Sequence, residues 1–140
     1  MIKKLQKRKI IALFPLFLCF AMAGEKIAVV TKIIGKAEYV REEKSPKNLK
    51  RGFVVENGDE ILTKAGAFVA LVFIDDRSAL KIREKSEVVI NGKKNVNRIS
   101  KKIDLNNGTI RAQVKTNRNF LVQTSVSVAL VKGTDFWVIS

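Results

Sequence analysis

Residues 58–63 read Gly-Asp-Glu-Ile-Leu-Thr, residues 67–82 read Ala-Phe-Val-Ala-Leu-Val-Phe-Ile-Asp-Asp-Arg-Ser-Ala-Leu-Lys-Ile, and residues 86–90 read Ser-Glu-Val-Val-Ile. The middle block opens with an apolar run whose two alternating sets are both hydrophobic: Phe68, Ala70, Val72 and Ile74 against Val69, Leu71 and Phe73. Apolar residues at both parities predict a strand buried on two sides, central to a core. Asp75-Asp76-Arg77-Ser78 then supplies turn-forming side chains, and Leu80 and Ile82 lead back at strand spacing. The block therefore predicts a β-hairpin.

The same pattern extends in both directions. Turn signals recur at Asn57-Gly58, Asp75-Asp76, Asn91-Gly92, Asn106-Asn107-Gly108 and near Gly133. Upstream, Ile27, Val29, Thr31 and Ile33 alternate until Gly35, and Ala37 to Val40 is expected to return as their partner strand. Arg41 to Arg51 holds Pro46, Lys44, Lys47 and Lys50 and reads as an exposed loop with solvated charges. Downstream, Asn91 to Lys102 carries Lys93, Lys94, Arg98, Lys101 and Lys102 and reads as a basic hairpin tip or loop. Ile103 and Leu105 before Asn106–Gly108, with Ile110, Ala112 and Val114 after it, predict a second hairpin. Phe120, Val122, Thr124, Val126, Val128 and Leu130 form one long stripe opposite Gln123, Ser125 and Ser127, the alternation of a half-buried strand. Gly133 breaks it, and Phe136 and Val138 resume. No segment sustains a helical period. The expected fold class is all-β: one domain of short antiparallel strands and hairpins, sandwich-like or a short β stack.

The first 23 residues stand apart from that domain. Lys3, Lys4, Lys7, Arg8 and Lys9 precede an apolar run of 14 residues, Ile10 to Ala23, which ends Ala21-Met22-Ala23. A basic head, a short apolar middle and an A-x-A exit make a secretory signal peptide. A spanning helix needs about 20 apolar residues. Cys19 follows Leu18, without the small neighbour that lipidation requires. The expected division is thus 1–23 signal peptide and 24–140 β domain, in a periplasmic or secreted protein that touches the membrane only if its leader stays uncleaved. Ser140 falls within an apolar run, so a continuation is expected there, against which Trp137 would pack.

Composition removes several function classes. The chain has no His, and its Cys and Met residues all lie before residue 24. Residues 24–140 therefore hold no thiol nucleophile, no Ser-His triad and no disulfide, and a zinc site would have to be built from carboxylates. Of 27 basic residues five lie in the leader, and all 13 acidic ones lie after it, so the domain carries +9. Such a charge suits attraction to anionic envelope material. Nucleic acid is not an expected partner, because the aromatics sit on core-like runs instead of interleaving with the basic residues.

Taken with Val131-Lys132-Gly133-Thr134-Asp135-Phe136, the opening blocks resemble the FecR domain, an all-β module of bacterial envelope proteins. The resemblance runs from about Ile27 to Val138. Gly58-Asp59 followed by Thr63, Leu71-Val72-Phe73 with Asp75 and Ser78-Ala79-Leu80, then Leu105, Gly108 and Val114, and Phe120-Leu121-Val122-Gln123-Thr124 follow the family's order. Two positions depart: Arg77 stands where that hairpin usually has Gly, and Ser125 where Pro commonly follows the Thr, so the strand is free to continue. The resemblance implies the periplasmic part of an iron-responsive, sigma-factor-linked regulator, or an exported protein with a leader directly before the domain. The leader favours the second: a non-enzymatic binding or scaffolding module in the cell envelope, with an envelope protein or anionic polysaccharide as partner.

No residue is assigned a catalytic, cofactor-binding or metal-ligating role. Asp75 and Asp76 fall short of the six to eight oxygens calcium takes and are read as turn formers. Gly58, Gly66, Gly108 and Gly133 are read as backbone requirements, and Asn107-Gly108-Thr109, which matches a glycosylation acceptor, is read as a hairpin turn instead. Glu42-Glu43, Glu56, Asp59-Glu60, Glu84 and Glu87 are the carboxylates from which a glycosidase pair would be drawn. Their expected places, in turns and on wet strand faces, disfavour that use.

Overall fold

The computed structural model describes residues 24–114, 119–131 and 134–140. The leader lies outside them. Thirteen strands follow one another: β1 Lys26–Ile34, β2 Ala37–Val40, β3 Lys47–Asn48, β4 Val54–Glu56, β5 Asp59–Thr63, β6 Phe68–Phe73, β7 Ala79–Ile82, β8 Glu87–Asn95, β9 Arg98–Asn107, β10 Thr109–Val114, β11 Phe120–Gln123, β12 Val128–Val131 and β13 Thr134–Ile139. They form a six-stranded sheet ordered β13-β10-β7-β6-β1-β4 and a seven-stranded sheet ordered β12-β11-β9-β8-β5-β2-β3. All pairings are antiparallel except that of β11 with β9. The fold is all-β, as the alternation predicted.

One core joins the two sheets. Val69, Leu71, Phe73, Leu80, Ile82, Ile110 and Ala112 from the six-stranded sheet meet Ile61, Val88, Ile90, Ile103, Leu105, Phe120 and Val122 from the other, all essentially inaccessible to water. Phe73 and Phe120 close the seam edge to face, with ring centroids 5.7 Å apart. β6 is central in its sheet, yet only one of its faces belongs to the core; Phe68, Ala70 and Val72 are half-buried on the other. The apolar outer face of β6 is therefore a surface, and the expectation of a strand buried on both sides is corrected.

The chain changes sheet at most of its corners, and three local expectations are overturned. β2 does not return beside β1: β1 pairs with β4 and β6, while β2 pairs with β3 and β5. Asn106–Gly108 is not a hairpin turn, because β9 belongs to one sheet and β10 to the other. Nor is Asn91-Gly92 a turn; it lies inside β8. Gly92 is required there by packing, since a Cβ would stand 2.7 Å from Ile27 Cγ2. At each described crossing between the sheets a residue has positive φ: Gly35, Gly52, Gly58, Gly66, Lys85 and Gly108. A left-handed residue swings the next strand out of the sheet plane, and Asn-Gly chemistry serves that corner as well as it serves a hairpin.

The local hairpins, besides the short pairing of β2 with β3, are β6–β7, β8–β9 and β11–β12. The first was predicted, and Arg77 adopts φ +60 where the family pattern has Gly. The second is the basic hairpin tip read at 91–102, drawn out as the ends of two long paired strands instead of a loop. The third splits the predicted single strand 120–130. Thr124 and Ser127 close a tight turn, Thr124 N–H donating to Ser127 O at 2.8 Å, so the chain bends at Ser125 without the proline. The segment 41–51 is mostly irregular, as read, but contributes the two-residue β3 and the buried Leu49.

Candidate functional site

The outer face of the six-stranded sheet carries the most distinctive exposed chemistry. β10 sits between β13 and β7, so Arg111 lies opposite Trp137 on one side and Lys81 on the other. Strand alternation points Asp135, Trp137 and Ile139 away from the core alongside Arg111 and Gln113. The Trp137 ring is 49% exposed and lies under two guanidinium groups, Arg83 at 4.8 Å and Arg111 at 5.1 Å from its centroid. Cations over an indole face are held by its quadrupole. Asp135 accepts from Arg111 Nε at 2.6 Å and also from its Nη2, and Gln113 Nε2 donates to the same carboxylate at 3.4 Å. This pairing holds the Arg111 guanidinium above its ordinary value through the Asp135 hydrogen bond, and Asp135 below its own through the same bond. Arg83 and Lys81 make no ion pair among the described residues. The arrangement fixes Arg111 in a defined position and leaves a flat aromatic ring between positive charges. Trp137, expected to pack against a continuation of the chain, is a partly exposed element of this face in residues 24–140.

A groove of about 690 Å³ lies on the seven-stranded sheet, lined among others by Asn57, Asn91, Lys93, Lys102, Asn119 and Leu121. Its amides are largely committed: Asn57 Oδ1 accepts from Gly92 N–H at 3.0 Å, and Asn91 Nδ2 donates to Asp104 Oδ2 at 2.9 Å.

Two buried charge clusters hold residues singled out in the sequence. Arg41 clamps Asp59 with Nε and Nη2 at 2.9 and 2.8 Å, and Asp59 also accepts from Glu56 N–H at 2.8 Å. The Asp59 hydrogen bond raises the Arg41 guanidinium further above its ordinary value. The clamp ties the loop after β2 to the β4–β5 corner, so Arg41 is structural, not merely solvated. In the second cluster Asp75 and Asp76 meet Lys101, whose side chain is fully enclosed. Lys101 Nζ lies 2.9 Å from Asp75 Oδ2 and 3.3 Å from Asp76 Oδ2, so the place a calcium ion would take is filled by an ammonium. Asp76 also accepts from Ser78 N–H, as a turn-forming Asp does. Burial pushes the Asp75 carboxyl up, but the bonds from Lys101 and from Ile99 N–H outweigh it, leaving the group below the ordinary value. Lys101 had been counted with the exposed basic residues. Its parity with Ile99, Ile103 and Leu105 was the signal that places it inward.

Among the described residues, several of the remaining carboxylates are each held by a separate partner. Glu84 accepts from Gly66 N–H at 2.6 Å, Glu56 is engaged by Arg41, and Glu42 lies beside Lys44. Glu60 and Glu87 come near one another across β5 and β8; burial, then the charge of Glu87, raises the Glu60 carboxyl above its ordinary value.

These features define a two-sheet β module with a basic aromatic face. The family model described as FecR protein matches residues 59–140, more than half of the chain, and the chain belongs to that family. The match begins at β5, so β1 to β4, which supply strands to both sheets and the Arg41 clamp, precede it. Comparison with curated proteins and with solved structures gives no match.

Proposed function

We propose that this FecR-family chain is a non-enzymatic, exported binding module of the cell envelope that takes an anionic polysaccharide on the outer face of its six-stranded sheet. The observation that carries the reading is Trp137 lying partly exposed between Arg83 and Arg111, with Lys81 one strand further on. Carboxylate or sulfate groups pair with a guanidinium in its fixed planar geometry, and Arg83, held over the indole, makes no ion pair among the described residues. The basic leader with its A-x-A exit supports export, and the domain's net charge of +9 draws polyanions toward it.

The test is retention of the exported protein on immobilised polygalacturonate against uncharged dextran at moderate salt. Selective retention that falls at least tenfold in Trp137→Ala and in Arg83→Ala is expected. Equal retention on both matrices, or undiminished retention of both variants, overturns the reading. High salt should weaken binding through screening.

The family match favours a second reading, the periplasmic part of a signal-transducing regulator related to iron-uptake and sigma-factor signalling. That role needs a membrane-spanning element; among the described residues no helix is long and apolar enough to cross a membrane. Co-isolation of the chain with a sigma factor from intact cells would favour it over polysaccharide binding.

A further inference from the structure

The Lys101–Asp75–Asp76 cluster is unusual for a resting ion pair. It places one ammonium among two carboxylates beneath the β6–β7 turn, and both Asp75 Oδ1 and Asp76 Oδ2 are buried without a hydrogen-bond partner. Lys101 is 2% exposed, and its Nζ lies 5.2 Å from the centroid of the Phe73 ring. Desolvated charges are costly even when paired, and orphaned buried polar atoms call for an explanation. From this geometry we infer that Lys101 and Asp75 condense into an intramolecular isopeptide bond, with Asp76 relaying the protons.

Each participant has a defined place. Lys101 Nζ stands 2.9 Å from Asp75 Oδ2, so the carbon to be attacked is one bond further on. Ile99 N–H donates to that same Oδ2 at 2.8 Å, where negative charge develops as the tetrahedral intermediate forms. A preorganised backbone donor at that atom is an oxyanion hole. Asp75 Oδ1, which holds no partner, is the oxygen free to leave. Asp76 Oδ2 approaches Nζ at 3.3 Å without a hydrogen bond and is positioned as the general base and then acid.

The step balances without an added reagent. The ammonium gives one proton to Asp76, which passes it to Asp75 Oδ1, so that the group attacked is a neutral carboxylic acid. The freed amine lone pair then forms the N–C bond to Cγ, and Asp76 collects the second proton from nitrogen and passes it to Oδ1 as the C–O bond breaks. One water leaves, two buried charges disappear, and Asp76 ends as it began. Phe73 and the surrounding core shield the new amide from hydrolysis. The bond would join the β6–β7 turn of one sheet to β9 of the other, 26 residues apart in sequence. It would act as a covalent staple in a domain whose residues 24–140 hold no cysteine for a disulfide.

The test is peptide mapping of the exported chain, purified folded and then denatured and digested. The expected product is a branched peptide joining the Lys101 and Asp75 segments, lighter than their sum by one water. Recovery of both segments only as linear peptides of full mass, after prolonged incubation of the folded protein, overturns the inference. That measurement is made on the unaltered protein and does not depend on any variant folding. Lys101→Arg preserves the positive charge but supplies no amine nucleophile, so only linear peptides are expected; a persisting branched peptide overturns the assignment. Asp76→Asn should slow formation at least tenfold, and an undiminished rate removes Asp76 from the relay. Heating in detergent before electrophoresis should show faster migration for the unaltered chain than for Lys101→Arg, and equal migration counts against the bond.

Discussion

Gly108 is where the chain leaves β9 in one sheet and enters β10 in the other, and Gly108→Ala probes that corner directly. Two independent penalties are expected. The backbone there has φ +103, and an L-residue in left-handed territory costs about 1–2 kcal/mol. In addition, the new Cβ would stand 2.5 Å from both Cα and Cβ of Ser86 and closer still to its Oγ. Ser86 cannot simply rotate away, because its backbone is part of the clash and its Oγ accepts from Thr109 N–H at 3.1 Å. Overpacking of this kind costs about 1–3 kcal/mol, so the sum is about 2–5 kcal/mol against a typical total stability of about 5–15 kcal/mol. At roughly 4 °C per kcal/mol for a domain of this size, Tm should fall by about 8–20 °C. Gly58→Ala is the control: φ is +87 and nothing lies within 4 Å of the added atom, so only the backbone penalty of about 1–2 kcal/mol remains. Thermal unfolding followed by circular dichroism on both variants separates the two terms. If Gly108→Ala loses no more than Gly58→Ala, the close approach of the corner to Ser86 is wrong. A double variant with Ser86→Ala should recover little, because Ser86 Cα and Cβ remain.

Three further outcomes are expected. Arg77→Gly relieves a left-handed arginine at the β6–β7 turn and should stabilise by about 1 kcal/mol, read as a higher midpoint in urea; a lower midpoint would place the strain elsewhere. Arg41→Ala leaves the carboxylate of Asp59, itself 1% exposed, without its bidentate partner, and should destabilise by about 3–5 kcal/mol, whereas a loss below 1 kcal/mol would show the clamp to be dispensable. Glu60→Gln tests the raised Glu60 carboxyl. A folded-state value above the unfolded 4.5 makes the ionised group a cost at neutral pH, relieved as pH falls through the folded value, so the variant should be more stable than the parent at pH 7 and no more stable below pH 4.5. A gain that grows toward acid pH would contradict the sign.

Most strands, many of their inward residues and the β6–β7 hairpin were legible in the sequence, because alternation is written residue by residue; Val126 and Val128, read on one stripe with Phe120 and Val122, are exposed. Leu80, Ile82, Val88, Ile90, Ile103, Leu105, Phe120 and Val122 are all core residues, as their parity required. The resemblance to the FecR family rested on the same local blocks and is matched by residues 59–140. Lys101 was also readable by parity, but a lysine invites the assumption of solvent, and its two partners lie 25 and 26 positions away. What sequence could not determine was the sheet each strand joins. Asn106–Gly108 and Asn57–Gly58 carry the same residues a hairpin would use, and only φ and the next pairing distinguish a reversal within a sheet from a corner between sheets. The basic aromatic face depends on that choice. Arg83, Arg111 and Trp137 come from three separate segments, and they meet because β10 pairs with both β7 and β13. Local patterning determined the strands and which side of each is apolar; long-range pairing alone decided which polar side chains would stand together on the outside.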